Sequence, residues 1–294
     1  MITYYLFRFF ETVLLAFPYS FQKVFFILLA KLAFLIDSKH KKVIRANLDL
    51  TIKDKISSEQ YESVLKYCHK NLALTVLQVL RSSRLSIEDL SAMVSFENKD
   101  IVDKAMATGK PIIFISAHYG NWELGATSLS ALISPVTAIH KKMNDNYFDK
   151  YLMKSRSKFK LTMVEKKGAI KHLIKALKNG DCISMLIDQN INPQDGIYID
   201  FLGAKATATA APAFIARKFD AIIIPLLINT SPEKENVITF YEPIITAKTE
   251  DEEKDILEST QAQADFLSKA ILEYPEPWFW CHKRWKSAYE NIYK

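Results

Sequence analysis

Apolar positions crowd the first 36 residues more densely than any later stretch of the chain. Rings recur through it at Tyr4, Tyr5, Phe7, Phe9, Phe10, Phe17, Tyr19, Phe21, Phe25, Phe26 and Phe34, and such rings favour the boundary between lipid headgroups and hydrocarbon. Within that segment the apolar run Val24 to Ile36, free of Pro, Gln and acid and interrupted only by Lys31, has thirteen residues. As a helix it covers about 20 Å of a hydrocarbon core about 30 Å thick. The pattern therefore predicts insertion at the interface rather than a clean span, and it lacks the charged start and small-residue cleavage site of a secretory signal. Lys39, His40, Lys41, Lys42 and Arg45 follow at once, a basic run that anionic cytoplasmic lipids attract. Residues 1–40 are expected to form a membrane-associated helical segment and residues 41–294 the folded domain.

Further on the period changes. Residues 41–50 and 57–83 read as helices, the second opened by Ser57-Ser58-Glu59-Gln60, a capping-box pattern. Pro111 to Ser116, Val136 to Ile139, Cys182 to Ile187 and Ala221 to Ile228 are short continuous apolar runs, the mark of strands buried on both faces. Helical patterns at 122–133, 146–158, 168–179 and 208–219 alternate with them; Val237 to Tyr241 reads as one more strand and 251–272 as an acid-rich helix. Alternation of this kind predicts an α/β fold, a mostly parallel sheet flanked by helices on both faces.

Composition narrows the chemistry. With 49% hydrophobic residues and 39 Lys+Arg against 33 Asp+Glu over 294 residues, the chain can fill a core, which excludes wholesale disorder. Cys68, Cys182 and Cys281 are odd in number and far apart, so they form neither a disulfide framework nor a zinc knot, and a reducing compartment fits. Dinucleotide and phosphate-loop glycine patterns, the zinc-protease helix and the nucleophile elbow are all missing. No metal or cofactor is expected, and a net charge of +6 without a recognised binding module argues against nucleic acid.

In a parallel α/β sheet the ligand lies beyond the carboxyl ends of the strands. There the run to Ser116 is followed by Ala117-His118-Tyr119-Gly120-Asn121-Trp122-Glu123. His118 and Glu123 are five positions apart, about 140° on a regular helix, so they meet only across a turn. Gly120 permits that turn and Asn121 can cap the helix behind it. The expectation is that Glu123 holds one imidazole nitrogen and leaves the other to take a proton from a hydroxyl. Asp188, beside Gln189 at another strand end, either positions an acceptor or a basic side chain, or caps a loop.

His118-Tyr119-Gly120-Asn121-Trp122-Glu123 resembles the H-x-x-x-x-[DE] motif of glycerolipid-type acyltransferases. Arg45-Ala46-Asn47-Leu48, Asp188-Gln189, Gly196 to Gly203 and Tyr274 to Lys286 resemble the R-x-N-L, D-Q, F-F-G and closing Y-P-x-Q-W-x-W-x-H-R-R-[WF]-K segments of the lipid A biosynthesis acyltransferases. Leu202 stands where that family has a second Phe, Lys283 where it has Arg, and Glu276-Pro277 where it has Glu-Gln. The resemblance implies a glycerolipid acyltransferase-like fold at the cytoplasmic face of the inner membrane. It also implies transfer of a fatty acyl chain from acyl-carrier protein to a hydroxyl on a primary acyl chain of a Kdo-bearing lipid A precursor, without a cofactor. An acyltransferase for another membrane lipid, or a non-catalytic lipid-binding protein of the same fold, are the alternatives. By the same resemblance His118 is the general base and Glu123 its orienter. Arg156 binds a phosphate or the donor carbonyl, unless it is only a solvated basic face. Gln189 joins Asp188 in binding substrate, and Lys283 and Arg284 meet lipid headgroups while the tryptophans around them lie at the interface or in the core. Anionic membrane lipids are a further expected partner.

Overall fold

The computed structural model describes residues 2–230 and 235–294. Met1, at the head of the expected membrane segment, and residues 231–234 lie outside them. Seven strands form the main sheet. They are β1 (Ser95–Glu97), β2 (Ile112–Ser116), β3 (Val136–His140), β4 (Leu161–Glu165), β5 (Cys182–Leu186), β8 (Ile222–Asn229) and β9 (Val237–Phe240), in the spatial order β1-β9-β8-β2-β5-β3-β4. All neighbours are parallel except β8 and β9. Central β2 is buried at every position, as an unbroken apolar run requires when helices cover both faces.

Two further strands, β6 (Ile197–Phe201) and β7 (Ala204–Ala208), form a separate antiparallel hairpin. Its two-residue turn puts Leu202 at φ 54° and Gly203 at φ 84°, the positive angles that match the twist of a hairpin. A leucine there gives no turn signal, so these strands escape pattern reading. The edge strands β1 and β4 escape it too: one has three residues, the other only a partly buried face. Helices α5 (Ile87–Met93) and α6 (Lys99–Ala107) were likewise unforeseen.

The apolar amino-terminal segment forms two helices, α1 (Ile2–Leu14) and α2 (Tyr19–Ile36), followed by α3 (Ser38–Thr51) and the long α4 (Ser58–Ser82). Helix α2 has 18 residues and runs past the thirteen-residue stretch to Tyr19. Gln22 is accommodated within it: its Nε2 donates to the Phe17 carbonyl at 2.7 Å and its Oε1 accepts from Arg81 of α4 at 3.2 Å. At about 27 Å the helix is long and apolar enough to cross a membrane by length and composition. It nevertheless lies antiparallel along α4. Arg81 sits 4.1 Å from the Tyr19 ring at one end, Phe26 packs with Leu77 midway, and Phe34 meets His69 edge-on at 5.5 Å at the other. Helix α4 in turn places Val64, Leu65 and Cys68 in the main core. The outer side of α1 and α2 leaves Leu6, Phe9, Leu28, Leu32 and Leu35 exposed, a continuous apolar face.

Between β2 and α7 (Trp122–Leu132) the chain turns through Gly120 at φ 55°. A Cβ on Gly120 would stand 2.0 Å from the Ile228 carbonyl oxygen of β8. Both the angle and the contact therefore demand glycine. Gly120→Ala is expected to lower the unfolding free energy by at least about 2 kcal/mol, read as a drop in thermal midpoint of the detergent-solubilised chain.

Candidate functional site

The turn after β2 presents His118 at the carboxyl end of the sheet, and β5 ends next to it at Asp188. The two join. His118 Nδ1 lies 2.9 Å from Asp188 Oδ1, and the His118 backbone N–H donates to Asp188 Oδ2 at 2.9 Å. Trp278 donates its indole N–H to that same Oδ2 at 3.0 Å. A carboxylate accepts at Nδ1, so the neutral ring carries its hydrogen there and leaves the Nε2 lone pair free. Nε2 faces the Gln189 side-chain amide at 3.4 Å, on the exposed side of the ring.

Electrostatics follow from this geometry. Burial disfavours the Asp188 anion, but the His118 charge, its two hydrogen bonds and the Trp278 indole outweigh burial and hold the carboxyl at about 2. Burial likewise pushes His118 down, while the charge and hydrogen bond of Asp188, helped by Glu123, raise it above its ordinary 6.5.

Glu123 does not hold the imidazole. Its carboxylate grips Arg156 of α8 (Asn146–Ser157) in a two-pronged pair, Nε to Oε2 at 2.9 Å and Nη2 to Oε1, with both side chains 15% exposed. The expected His118–Glu123 contact is thus corrected to His118–Asp188 and Glu123–Arg156. The reason is helical geometry: Glu123 lies in the first turn of α7, which aims it across at α8, whereas the end of β5 lies directly beside the end of β2. Asn121 caps α7 by accepting from the Leu124 N–H at 3.3 Å. The N–H groups of Tyr119 and Gly120 are engaged by the Ala117 and Pro277 carbonyls.

The closing segment clamps this site. Gly120 N–H donates to Pro277 O at 2.9 Å, Phe279 N–H to His118 O at 2.8 Å, and Tyr119 Oη to Tyr274 O at 3.0 Å. His282 Nε2 accepts the Asn190 N–H at 2.9 Å; burial, with the charges of Arg284 and His118, lowers its pKa, as an accepting nitrogen requires. Asn47 donates to the carbonyls of Trp280 and His282, each at 2.8 Å. Trp278, Trp280, Trp285 and Arg284 are all at most 2% exposed. Arg284 is therefore withdrawn from any headgroup: it donates to Thr207 O at 2.6 Å and lies 5.0 Å from the Phe201 ring centroid. Burial lowers it to about 10. Lys283 is half-buried over the Tyr293 ring at 5.4 Å. The corrections share a cause: a basic-aromatic string has the same composition whether it meets lipid or fills a core, and only packing decides. Trp278, Asn47 and His282 were the residues that sequence reasoning missed as parts of the site, although each stands inside a quoted motif.

Beside His118 stand Trp122, with ring centroids 5.2 Å apart, and Phe279, at 6.3 Å. Phe279 also lines a mostly apolar groove of about 320 Å³ between α2 and α4, formed by Phe26, Leu29, Ala33, Leu72 and Val76 with Asp37 and His69. Phe279 is thus common to the surroundings of the imidazole and to this groove. Among the described residues no group of His, Cys, Asp and Glu could hold a metal ion.

Residues 1–287 match the family described as bacterial lipid A biosynthesis acyltransferase. The lipid A biosynthesis lauroyltransferase of Escherichia coli (strain K12) is 20% identical over 266 residues, 90% of this chain and 85% of that protein. The palmitoleoyltransferase of lipid A biosynthesis from the same organism is 17% identical over 249 residues, 85% of this chain and 79% of its own length. The phosphatidylinositol mannoside acyltransferase of Mycolicibacterium smegmatis (strain ATCC 700084 / mc(2)155) is 20% identical over 198 residues, 64% of this chain and 63% of that protein.

The His118–Asp188 pair carries a signed pH dependence. A raised imidazole stabilises the fold fully below its unfolded 6.5 and loses this as pH rises through the folded value; a lowered carboxyl stabilises above its unfolded 3.8 and loses this as pH falls towards about 2. The pair's contribution is greatest between pH 3.8 and 6.5, and Asp188→Asn is expected to flatten the unfolding free energy against pH across its two limbs. Trp278→Phe removes a donor to a buried anion and leaves a void where the indole packed, so His118 titration by NMR is expected to shift, with at least about 1–3 kcal/mol lost in stability.

Proposed function

The chain belongs to the bacterial lipid A biosynthesis acyltransferase family, and from that premise we propose that it transfers a fatty acyl chain from acyl-carrier protein to a hydroxyl on a primary acyl chain of a Kdo-bearing lipid A precursor. The observation that carries the reading is the His118–Asp188 pair at 2.9 Å, whose neighbour Phe279 also lines an apolar groove. In this mechanism His118 Nε2 takes the hydroxyl proton as the oxygen attacks the thioester carbonyl, and Asp188 stabilises the imidazolium that forms. Collapse of the tetrahedral intermediate breaks the carbon–sulfur bond, and His118 returns the proton to the departing thiolate. No acyl-enzyme is formed.

The oxyanion is assigned to the N–H groups of Trp122 and Glu123 in the first turn of α7, where the dipole is favourable, since those of Leu124 and Gly125 are taken by Asn121. The Glu123–Arg156 pair supports His118 at one remove: its carboxylate raises the imidazole's basicity, and its guanidinium, neutralised by Glu123, is poised to bind a phosphate or the donor carbonyl. Gln189, exposed at Nε2, gives way to the acceptor hydroxyl. The exposed apolar face of α1 and α2 seats the protein at the cytoplasmic face of the inner membrane, with Lys39, Lys42 and Arg45 exposed towards anionic lipid and the acidic carrier.

Similarity to a phosphatidylinositol mannoside acyltransferase favours a second reading, acylation of another glycolipid. A single assay with acyl-carrier-protein thioesters and a panel of acceptors, read by mass spectrometry, separates the two; product on a mannosylated phospholipid but never on the Kdo-bearing precursor replaces the first with the second. His118→Ala is expected to cut transfer by about 10³-fold or more and Asp188→Asn by about 10²–10⁴-fold, with the protein still folded. Since the base must be neutral, kcat/KM falls below the raised His118 value, and Asp188→Asn moves that acidic limb to lower pH. Glu123→Gln moves it in the same direction by less. Undiminished transfer by His118→Ala eliminates the mechanism.

A further inference from the structure

Helix α2 has a second groove along its opposite flank. It holds about 500 Å³ between α2 and the first half of α4, walled by Ile27, Phe34 and Leu35 and rimmed by Lys31, Lys66 and Lys70. Volume and lining suit a hydrocarbon chain, the surface being almost wholly apolar with three lysines among the residues that form it. Its lining contains no carboxylate, and none of the three lysines forms an ion pair among the described residues. Lys66 and Lys70 are one helical turn apart, a like-charged spacing that works against the helix unless an anion answers it. Lys41 adds a fourth cation at one end, 4.9 Å from the Phe34 ring.

We propose that this groove binds one molecule of an anionic phospholipid of the surrounding leaflet, its phosphate among Lys31, Lys66 and Lys70 and its acyl chain along Ile27, Phe34 and Leu35. Charge selects the headgroup, since a neutral lipid leaves the three ammonium groups without an anion, Lys70 resting only over the Tyr67 ring at 5.7 Å, and a water-soluble phosphate leaves the apolar wall bare. The surroundings select a leaflet lipid over a reactant. The groove opens beside Leu28, Leu32 and Leu35, exposed on the outer side of α2, and it shares no residue with His118, Trp122 or Phe279. Its occupant is held away from the reacting nitrogen and steadies α2 against α4. This assignment stands apart from the acyl-transfer reading, because lipid retention is measurable without turnover.

The test uses the full chain in detergent, titrated with a short-chain phosphatidylglycerol or with the matching phosphatidylcholine and followed by native mass spectrometry. One phosphatidylglycerol is expected to be retained in preference to phosphatidylcholine. Lys31→Gln/Lys66→Gln/Lys70→Gln is expected to weaken it about tenfold or more, at roughly a few-fold per lysine, while Lys171→Gln/Lys178→Gln/Lys269→Gln, which removes the same charge far from α2, leaves retention within about twofold of wild type. All six lysines of the two triple variants are exposed and lie outside the core, and thermal midpoints check that both variants fold. Equal retention of the two lipids, or equal loss in the two triple variants, overturns the proposal. So does displacement of phosphatidylglycerol from the groove by the acyl acceptor, which would make the groove part of the reactive site.

Discussion

A buried carboxylate on which three N–H groups converge is the constraint around which this molecule is arranged. Asp188 takes donors from the ring and backbone of His118 and from the indole of Trp278. An isolated anion at 4% exposure would be strongly disfavoured, yet these donors favour the charged form so far that the carboxyl titrates at about 2. The three residues come from β2's end, β5's end and the closing segment. The ends of two adjacent parallel strands are held in register by the sheet itself, which sets the imidazole opposite its carboxylate.

Around that point the closing segment works as an internal brace. Its backbone pairs with the turn after β2 through Gly120, His118 and the short bridge between Tyr119 and Trp278. Its side chains reach the Asp188-Gln189-Asn190 loop through Trp278 and His282 and the hairpin through Arg284. Phe201 of the hairpin stacks on Trp285 at 5.7 Å and meets Trp278 edge-on at 5.6 Å. Removing any one of these partners leaves a buried polar group or a void next to the histidine, so the brace couples core packing to the basicity of the site.

The apolar amino-terminal helices extend the same logic to the membrane. A helix that only crossed a bilayer would present apolar side chains all round to lipid. Here α2 gives one side to α4, through Gln22, Phe26 and Ala30, and keeps the other bare. Because α4 also donates from Asn71 to the Gly120 carbonyl at 2.7 Å, the exposed apolar face and the His118 turn belong to one rigid unit. The two flanks of this one helix border grooves of different lining.

Pattern alone determined the alternation of strands and helices, because a strand covered on both faces must be a continuous apolar run and a surface helix must repeat every three to four residues. It also placed His118 at a strand end, marked Gly120 as the turn and Asn121 as the cap, since these depend on neighbours in the chain. The hairpin, with Leu202 in a left-handed turn, and the short edge strands depend on partners far away and left no such trace. Tertiary structure alone decided which carboxylate braces the imidazole, choosing Asp188 seventy residues off over Glu123 five residues off. It alone turned Arg284 inward. A local motif records which side chains a turn can bring close; which charge is finally desolvated against which partner is settled by the register of strands and the packing of distant segments, and no spacing along the chain encodes that.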